Sequence, residues 1–203
     1  MVLLLAVLAG LIVGLAKAWI RKQPFLLPDL SLTGLGLFAF LPQFLVFYLP
    51  TTSSHIPNQW ASGFLVFSQL LFLIFFWFNF RQPGFWMLGV GVILNLVVIC
   101  LNGGWMPISP EMVQRLFPNA PVGAWEIGLR LGNSKDVVLN LWNMRLGFLG
   151  DCIYIPFPPP LHPAAFSLGD FFIAIGAAGF LSTQGDTQVF HIKTLSFSAL
   201  QHK

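Results

Sequence analysis

The residues most able to do chemistry in this sequence are two aspartates, each closing a Leu-Gly-Asp triplet: Leu149-Gly150-Asp151 and Leu168-Gly169-Asp170. Two carboxylates brought to one face could act as acid and base or hold a metal ion, with Glu111 or His162 in support. The competing use is structural, because a carboxylate near a helix start accepts hydrogen bonds from free amides and meets the positive end of the helix dipole. Asp170 lies in the opening of an apolar run, Phe166 to Leu181, and Asp151 opens a connector carrying Pro156, Pro158, Pro159, Pro160 and Pro163, so both suit capping. Proton or ion handling is a third use. An ionisable group inside an apolar run is costly unless it faces protein, water or a helix start, so on every reading both aspartates matter.

The sequence has no HExxH, no Gly-x-Ser-x-Gly, no histidine cluster and no Cys-His pair at usable spacing. It therefore favours a non-catalytic role, and neither a catalytic residue nor a metal site is assigned. Cys100 and Cys152 have no metal-ligand spacing, although both fall near one end of the expected bundle and could meet in a disulfide.

What must position the aspartates is a membrane architecture. Hydrophobic residues make up 56% of the 203 and charged residues 8%, with a mean hydropathy of +0.78, which leaves too little charge to cover a soluble globule. The 22 Phe and 7 Trp suit a body in contact with lipid. The net charge of +3 comes from scattered residues with no basic run, which argues against nucleic acid as a partner. Basic residues follow rather than precede the apolar stretch Met1 to Ala16, the inverse of a secretory signal, so an uncleaved first span is expected.

The hydropathy pattern predicts an all-α, polytopic membrane bundle of about five transmembrane helices with an outer cap. Residues 1–101 hold four spans, about Val2 to Ile20, Leu30 to Leu49, Trp60 to Phe80 and Phe85 to Leu101. Gly10 and Gly14 form a GxxxG pair for close helix contact, and Pro42 predicts a kink. Gln69 is expected to make a helix–helix hydrogen bond, and His55 to be a solvated loop residue. Asn95 and Asn102, seven apart, share a helix face that looks into protein.

Residues 102–165 form the cap. Gly103 and Gly104 allow backbone conformations closed to other residues. Ser109 reads as an N-cap followed by Pro110 and a short helix to about Phe117. From Ser134 to Leu149 the apolar pattern predicts a broken, interfacial helix, and the prolines after it an extended, polyproline-like connector. Residues 166–181 form a short fifth span and 182–203 a tail. Lys17, Arg21, Lys22 and Arg81 share one side if the spans alternate, so the N-terminus is expected outside, the cap outside and the tail in the cytoplasm.

The run Asn102-Gly103-Gly104-Trp105-Met106-Pro107-Ile108-Ser109, the triplet ending in Asp151, the Pro-rich connector and Phe166-Ser167-Leu168-Gly169-Asp170 together resemble a family of small bacterial integral membrane proteins, domain of unknown function 5317. The resemblance covers about Leu94 to Leu181. It implies a polytopic protein of the bacterial cytoplasmic membrane and marks Asn102, Gly103, Gly104, Met106, Pro107, Asp151, Ser167, Gly169 and Asp170 as candidate functional or structural positions, with no activity attached. Internal repeats and deep polar breaks of the kind transporters use are missing. The expected role is that of an accessory or structural subunit in a larger membrane complex, respiratory or photosynthetic. Lipids and other membrane subunits are then its partners, with no cofactor of its own. A lipid, quinone, carotenoid or chlorin at a partner interface would suit the aromatic surface. The alternative is a membrane enzyme, or a lipid- or quinone-handling protein, that uses Asp151 and Asp170 as an outer-face pair.

Overall fold

Long apolar runs without internal charge fold as helices that bury small residues against one another and leave large ones outward. The computed structural model describes residues 2–49, 51, 55–121, 124–158 and 162–184. Its helices are α1 (Val2–Ile20), α2 (Thr33–Gln43), α3 (Asn58–Phe78), α4 (Phe85–Leu101), α5 (Pro110–Leu116) and α6 (Leu168–Thr183). Among the described residues, α1 and α3 are long and apolar enough to cross a membrane, and Thr33–Tyr48, α4 and α6 are shorter apolar helices. Local chemistry sets these ends. Leu32 is left-handed at φ 56° ahead of α2, Gly103 and Gly104 are left-handed after α4, and Ser167 caps α6 two residues beyond the expected start. After Pro42 the helix widens into a π-helical turn, Phe44–Tyr48, where a kink was expected. The proline ring and missing N–H disrupt the regular ladder, which this wider turn accommodates.

The helices pack side by side in the order α1, α6, α4, α3, α2. Glycines set the closest seams. A Cβ on Gly10 would stand 2.6 Å from the Ala178 backbone, and one on Gly91 would stand 2.5 Å from the Gly169 carbonyl oxygen, so both seams require glycine. The Gly10–Gly14 pair thus marks a real contact, with Gly14 against Leu181. Between α2 and α3 the polar link comes from Ser68, whose Oγ donates to the Ala39 carbonyl and accepts from Gln43 Nε2 at 2.9 Å. The expected bond of Gln69 is not made at its carbonyl: Oε1 is buried and unpartnered. Asn79, at the end of α3, clasps Ser31 through both backbone groups at 2.8 Å.

The contacts also give direction. Lys17 Nζ donates to the Ser182 carbonyl at 3.1 Å, and Gly84 lies against Gly176 and Phe180. The end of α1, the α3–α4 turn with Arg81, and the end of α6 therefore meet at one pole. The described residues between 102 and 166 sit at the other.

There the all-α expectation needs correction. The structure is mostly helical, but the cap also holds two short strand pairs. β1 (Met106–Ile108) pairs in parallel with β2 (Asp136–Val138), and β3 (Ile153–Ile155) pairs antiparallel with β4 (Ala164–Phe166). The helix expected from Ser134 to Leu149 does not form. Val137 and Val138 are β-branched, Asp136, Asn140, Asn143 and Gly147 are poor helix formers, and β1 offers an edge to pair with. The segment becomes β2 followed by 3-10 turns at Leu141–Asn143 and Gly147–Leu149.

The short helix was legible: Ser109 Oγ accepts from the Met112 amide at 3.1 Å at the start of α5. Ile108, Met112, Val113 and Val138 give the cap its own core. Arg130 lies over the rings of Phe47 and Trp105 at 5.1 and 5.0 Å, tying the cap to the end of the α2 segment. Cys100 and Cys152 are both free and exposed. Of the proline connector, Pro159 and Pro160 lie outside the described residues, as does the tail from residue 185.

Candidate functional site

The two triplets are built into one core and then diverge at their aspartates. Leu149 is buried with Leu65, Val98, Ile99 and Met106, and Leu168 packs against that same cluster. Gly150 lies against the Pro107 carbonyl, 2.6 Å from where its Cβ would be, and Gly169 lies against Asn95 and Gly91. In both cases leucine fills the core and glycine permits backbone contact.

Asp170 is consumed by structure. Ser167 Oγ accepts from the Asp170 amide at 3.0 Å and Asp170 Oδ2 accepts from the Ser167 amide at 3.3 Å, a capping box at the start of α6. Its other oxygen, Oδ1, accepts from Asn95 Nδ2 at 2.8 Å, while Ser167 Oγ donates to Asn95 Oδ1 at 2.8 Å. The ring satisfies Asn95, which is only 4% exposed on α4.

Asp151 has no such helix. Strand β3 follows it, so no free helix amides point at its carboxylate, and its own amide donates to the Pro107 carbonyl at 3.1 Å. Its Oδ2 accepts from Lys135 Nζ at 2.9 Å; Asp136 Oδ1 stands at 3.4 Å from the same ammonium, an ion-pair distance without a formed hydrogen bond. Asp151 is 5% exposed, and its Oδ1 is buried with no hydrogen-bond partner.

Burial pushes the Asp151 carboxyl well above the usual carboxylate range; the Lys135 charge opposes this, and the charges of Asp136 and Asp170 reinforce it. Burial disfavours the Lys135 ammonium, but the surrounding carboxylates, Asp151 first, more than offset it and hold the lysine well above its ordinary value. The arrangement thus keeps Lys135 charged, while Asp151 Oδ1 stays buried without a hydrogen-bond partner.

The other candidate positions support this frame. Asn102 Nδ2 donates to the Arg145 carbonyl at 2.8 Å and Asn102 Oδ1 accepts from the Arg145 amide at 3.0 Å, fixing the loop that leads to Asp151. Gly103 and Gly104 take φ of 75° and 87°, and Gly104 packs against Ser62. Met106 and Pro107 are buried beneath Gly150. Asp151 and Asp170 are close enough for their fields to interact, and their hydrogen bonds go to different partners, Lys135 for Asp151 and Ser167 and Asn95 for Asp170. Glu111 lines a cavity with Asp151, whereas His162 does not line it. Lys135 is the neighbour of Asp151 that sequence reasoning missed; its only signal was a cation, one of two with Arg145, within a broken apolar pattern. Among the described residues, no group of three His, Cys, Asp or Glu is placed to hold a metal.

Beside Asp151 the cap surface carries an open hollow of about 320 Å³ that reaches Ser109, Glu111 and Arg115 on the α5 side and Leu141, Met144 and Cys152 on the other. Comparison with known proteins gives a family but no activity: a model described as a family of unknown function (DUF5317) matches residues 29–182. No curated protein and no solved structure matches the chain.

Proposed function

We propose a role from the geometry of this chain, which belongs to the DUF5317 family and inherits no activity from it. It is a five-span protein of the bacterial cytoplasmic membrane that serves as a non-catalytic accessory subunit, with its cap at the outer face and its apolar flanks against lipid and a neighbouring subunit. The observation that carries this reading is the cap's own surface. Trp142 is 97% exposed, Leu141 65% and Phe148 66%, although none of them lies on a long apolar helix. Lipid accounts for the exposed leucines of α1; a rim of this kind on a charged, strand-containing cap calls for a membrane surface or a second protein.

The helix directions support five crossings, since successive long helices run to opposite poles. Thr33–Tyr48, α4 and α6, at 16 to 17 residues each, are about 24–26 Å long against a hydrocarbon core of about 30 Å, and local thinning or flanking Trp and Lys accommodates the difference. Lys17 and Arg81 lie at the pole opposite the cap, which by the positive-inside rule puts that pole in the cytoplasm and both the N-terminus and the cap outside.

Gentle detergent extraction from the native membrane, followed by native electrophoresis and mass spectrometry, tests the accessory role. The chain is expected to migrate with a defined set of other subunits; migration alone would sink this reading. A reporter fused after Gly132 is expected to behave as extracytoplasmic, and cytoplasmic behaviour would invert the topology. A second reading, a binding site at the outer face, is favoured by the unpartnered Oδ1 of Asp151.

A further inference from the structure

The chain between β2 and β3 carries its exposed apolar side chains at a fixed height above the bundle. Within residues 141–148, Leu141, Trp142, Leu146 and Phe148 are exposed, and so is Arg145. Their height is set by Asn102, the residue that follows α4. Its side chain donates to the Arg145 carbonyl at 2.8 Å and accepts from the Arg145 amide at 3.0 Å, which fastens this backbone to the end of α4. Trp142 and Phe148 each lie three residues from Arg145, so their backbones stand within about 11 Å of it. Leu149 then enters the core with Leu65, Val98 and Ile99 of α3 and α4, which holds the segment down on the bundle.

The helices beneath are short. α4 has 17 residues and α6 has 16, about 24–26 Å of helix against a hydrocarbon core of about 30 Å. With α4 centred in the bilayer, its outer end lies at or inside the hydrocarbon edge, and the residues fastened to that end lie among headgroups, the level that Trp favours. Ile93, Val97 and Leu101, four residues apart on α4, form an exposed stripe that leads up to Asn102. The charge suits lipid as well. Residues 139–150 include one arginine and no aspartate or glutamate, and the next acid, Asp151, is buried. Among the described residues the Arg145 guanidinium makes no ion pair or hydrogen bond, which leaves its donors for phosphate.

We propose that residues 141–148 are an interfacial anchor that seats the cap on the outer leaflet, with Leu141, Trp142 and Phe148 at the boundary of headgroups and acyl chains and the Arg145 guanidinium on lipid phosphate. The anchor adds the apolar height that α4 and α6 lack. Of the two occupants that suit this rim it takes the membrane surface, and it rests on the five-span placement proposed above, not on the accessory role.

The full chain, carrying Cys100→Ala, Cys152→Ala and Trp142→Cys, is labelled at position 142 with nitrobenzoxadiazole. It is reconstituted in phosphatidylcholine vesicles containing lipid with a nitroxide either at the top of the acyl chain or near its end. A second preparation carries the label on native Cys100, exposed in the last turn of α4, in a Cys152→Ala background. The label at position 142 is expected to be quenched at least about twofold more by the shallow nitroxide than by the deep one. To exclude a dye that seats itself, the unlabelled parent is measured too, and the shallow nitroxide is expected to quench its tryptophan emission more than that of Trp142→Phe. Trp142 is almost fully exposed, so both substitutions keep the fold, which elution as the same monodisperse species verifies. A quenched label at Cys100 with none quenched at position 142 would overturn the anchor, keep the five-span placement and return the rim to a neighbouring subunit. Equal tryptophan quenching of parent and Trp142→Phe would overturn the anchor too. No quenching at either labelled position would overturn the anchor and the placement together.

Discussion

The two Leu-Gly-Asp triplets share their first two residues in structure as well as in sequence, and part at the third. Leu149 and Leu168 enter one apolar cluster, and Gly150 and Gly169 each admit a neighbouring backbone group. Asp170 then has both carboxylate oxygens occupied by Ser167 and Asn95, whereas Asp151 pairs one oxygen with Lys135 and leaves the other without a partner. The difference lies downstream. After Asp170 comes a helix whose first amides need acceptors; after Asp151 comes a strand that pairs with β4 and has no such run of free amides. A short motif therefore fixes packing, and the element that follows it decides whether the acid is a cap or keeps a carboxylate oxygen without a partner.

The strongest break of this comparison acts on the glycine. A Cβ at Gly169 would stand 2.1 Å from Asn95 Oδ1 and 2.6 Å from the Gly91 carbonyl oxygen, with rigid partners on both sides. Gly169→Ala is expected to cost about 3 kcal/mol through forced separation of α4 and α6, read as loss of monodisperse protein in detergent or a large fall in thermal midpoint. Asp170→Ala comes next. It removes the capping box, worth about 1 kcal/mol, and leaves the buried Asn95 donor unpaired for about 1–3 kcal/mol more. Asp151→Asn is expected to change stability least, by under about 1 kcal/mol, because Lys135 keeps Asp136 at 3.4 Å and the lost pair is offset by removing a carboxyl whose charged form burial disfavours. Thermal unfolding of the two variants in the same detergent checks the order; a larger loss at Asp151 would reverse the assignment of cap and site.

Much of this frame was legible in the residues, for reasons that are local. The Ser109-Pro110 start of α5, the capping role of Asp170 and the close approach of Gly10 and Gly14 each follow from a rule acting over one turn of helix. The fate of Asp151 was not legible, because its partner Lys135 is brought in by the parallel pairing of β1 with β2. That pairing also replaced the expected interfacial helix. Three-residue strands leave little periodicity to read, and Val137-Val138 fits a helix stripe as well as a strand. The same limit hid the neighbours of Gln69, whose carbonyl stays unpartnered while Ser68, one residue earlier, makes the interhelical bond.

A pH scan sharpens the contrast by a smaller amount. Burial holds the folded Asp151 carboxyl above its unfolded value, so between about pH 4 and that raised value the native state binds more protons than the unfolded chain. Unfolding free energy then falls as pH rises across this window, by at most about 1.4 kcal/mol per pH unit for one proton. Asp151→Asn is expected to flatten this part of the profile. Lys135 acts at the other end: its folded value is raised, so its contribution is full below about pH 10 and is lost only as pH climbs through the raised value. A profile unchanged by Asp151→Asn would show that this carboxyl does not titrate differently in the folded state.

The mildest test uses the thiol next to Asp151. Cys152 is exposed, with Sγ donating to the Phe148 carbonyl at 3.3 Å, and burial of part of its surroundings pushes the thiol above its ordinary value. Since the thiolate is the reactive form, labelling should be slow at neutral pH and rise with pH beyond the point where an ordinary cysteine levels off. A membrane-impermeant maleimide applied to intact cells of a Cys100→Ala strain is expected to reach Cys152 from outside. Labelling only after the cells are opened would place the first triplet, with the whole cap, on the cytoplasmic side. Labelling from outside, before the cells are opened, would keep the cap at the outer face.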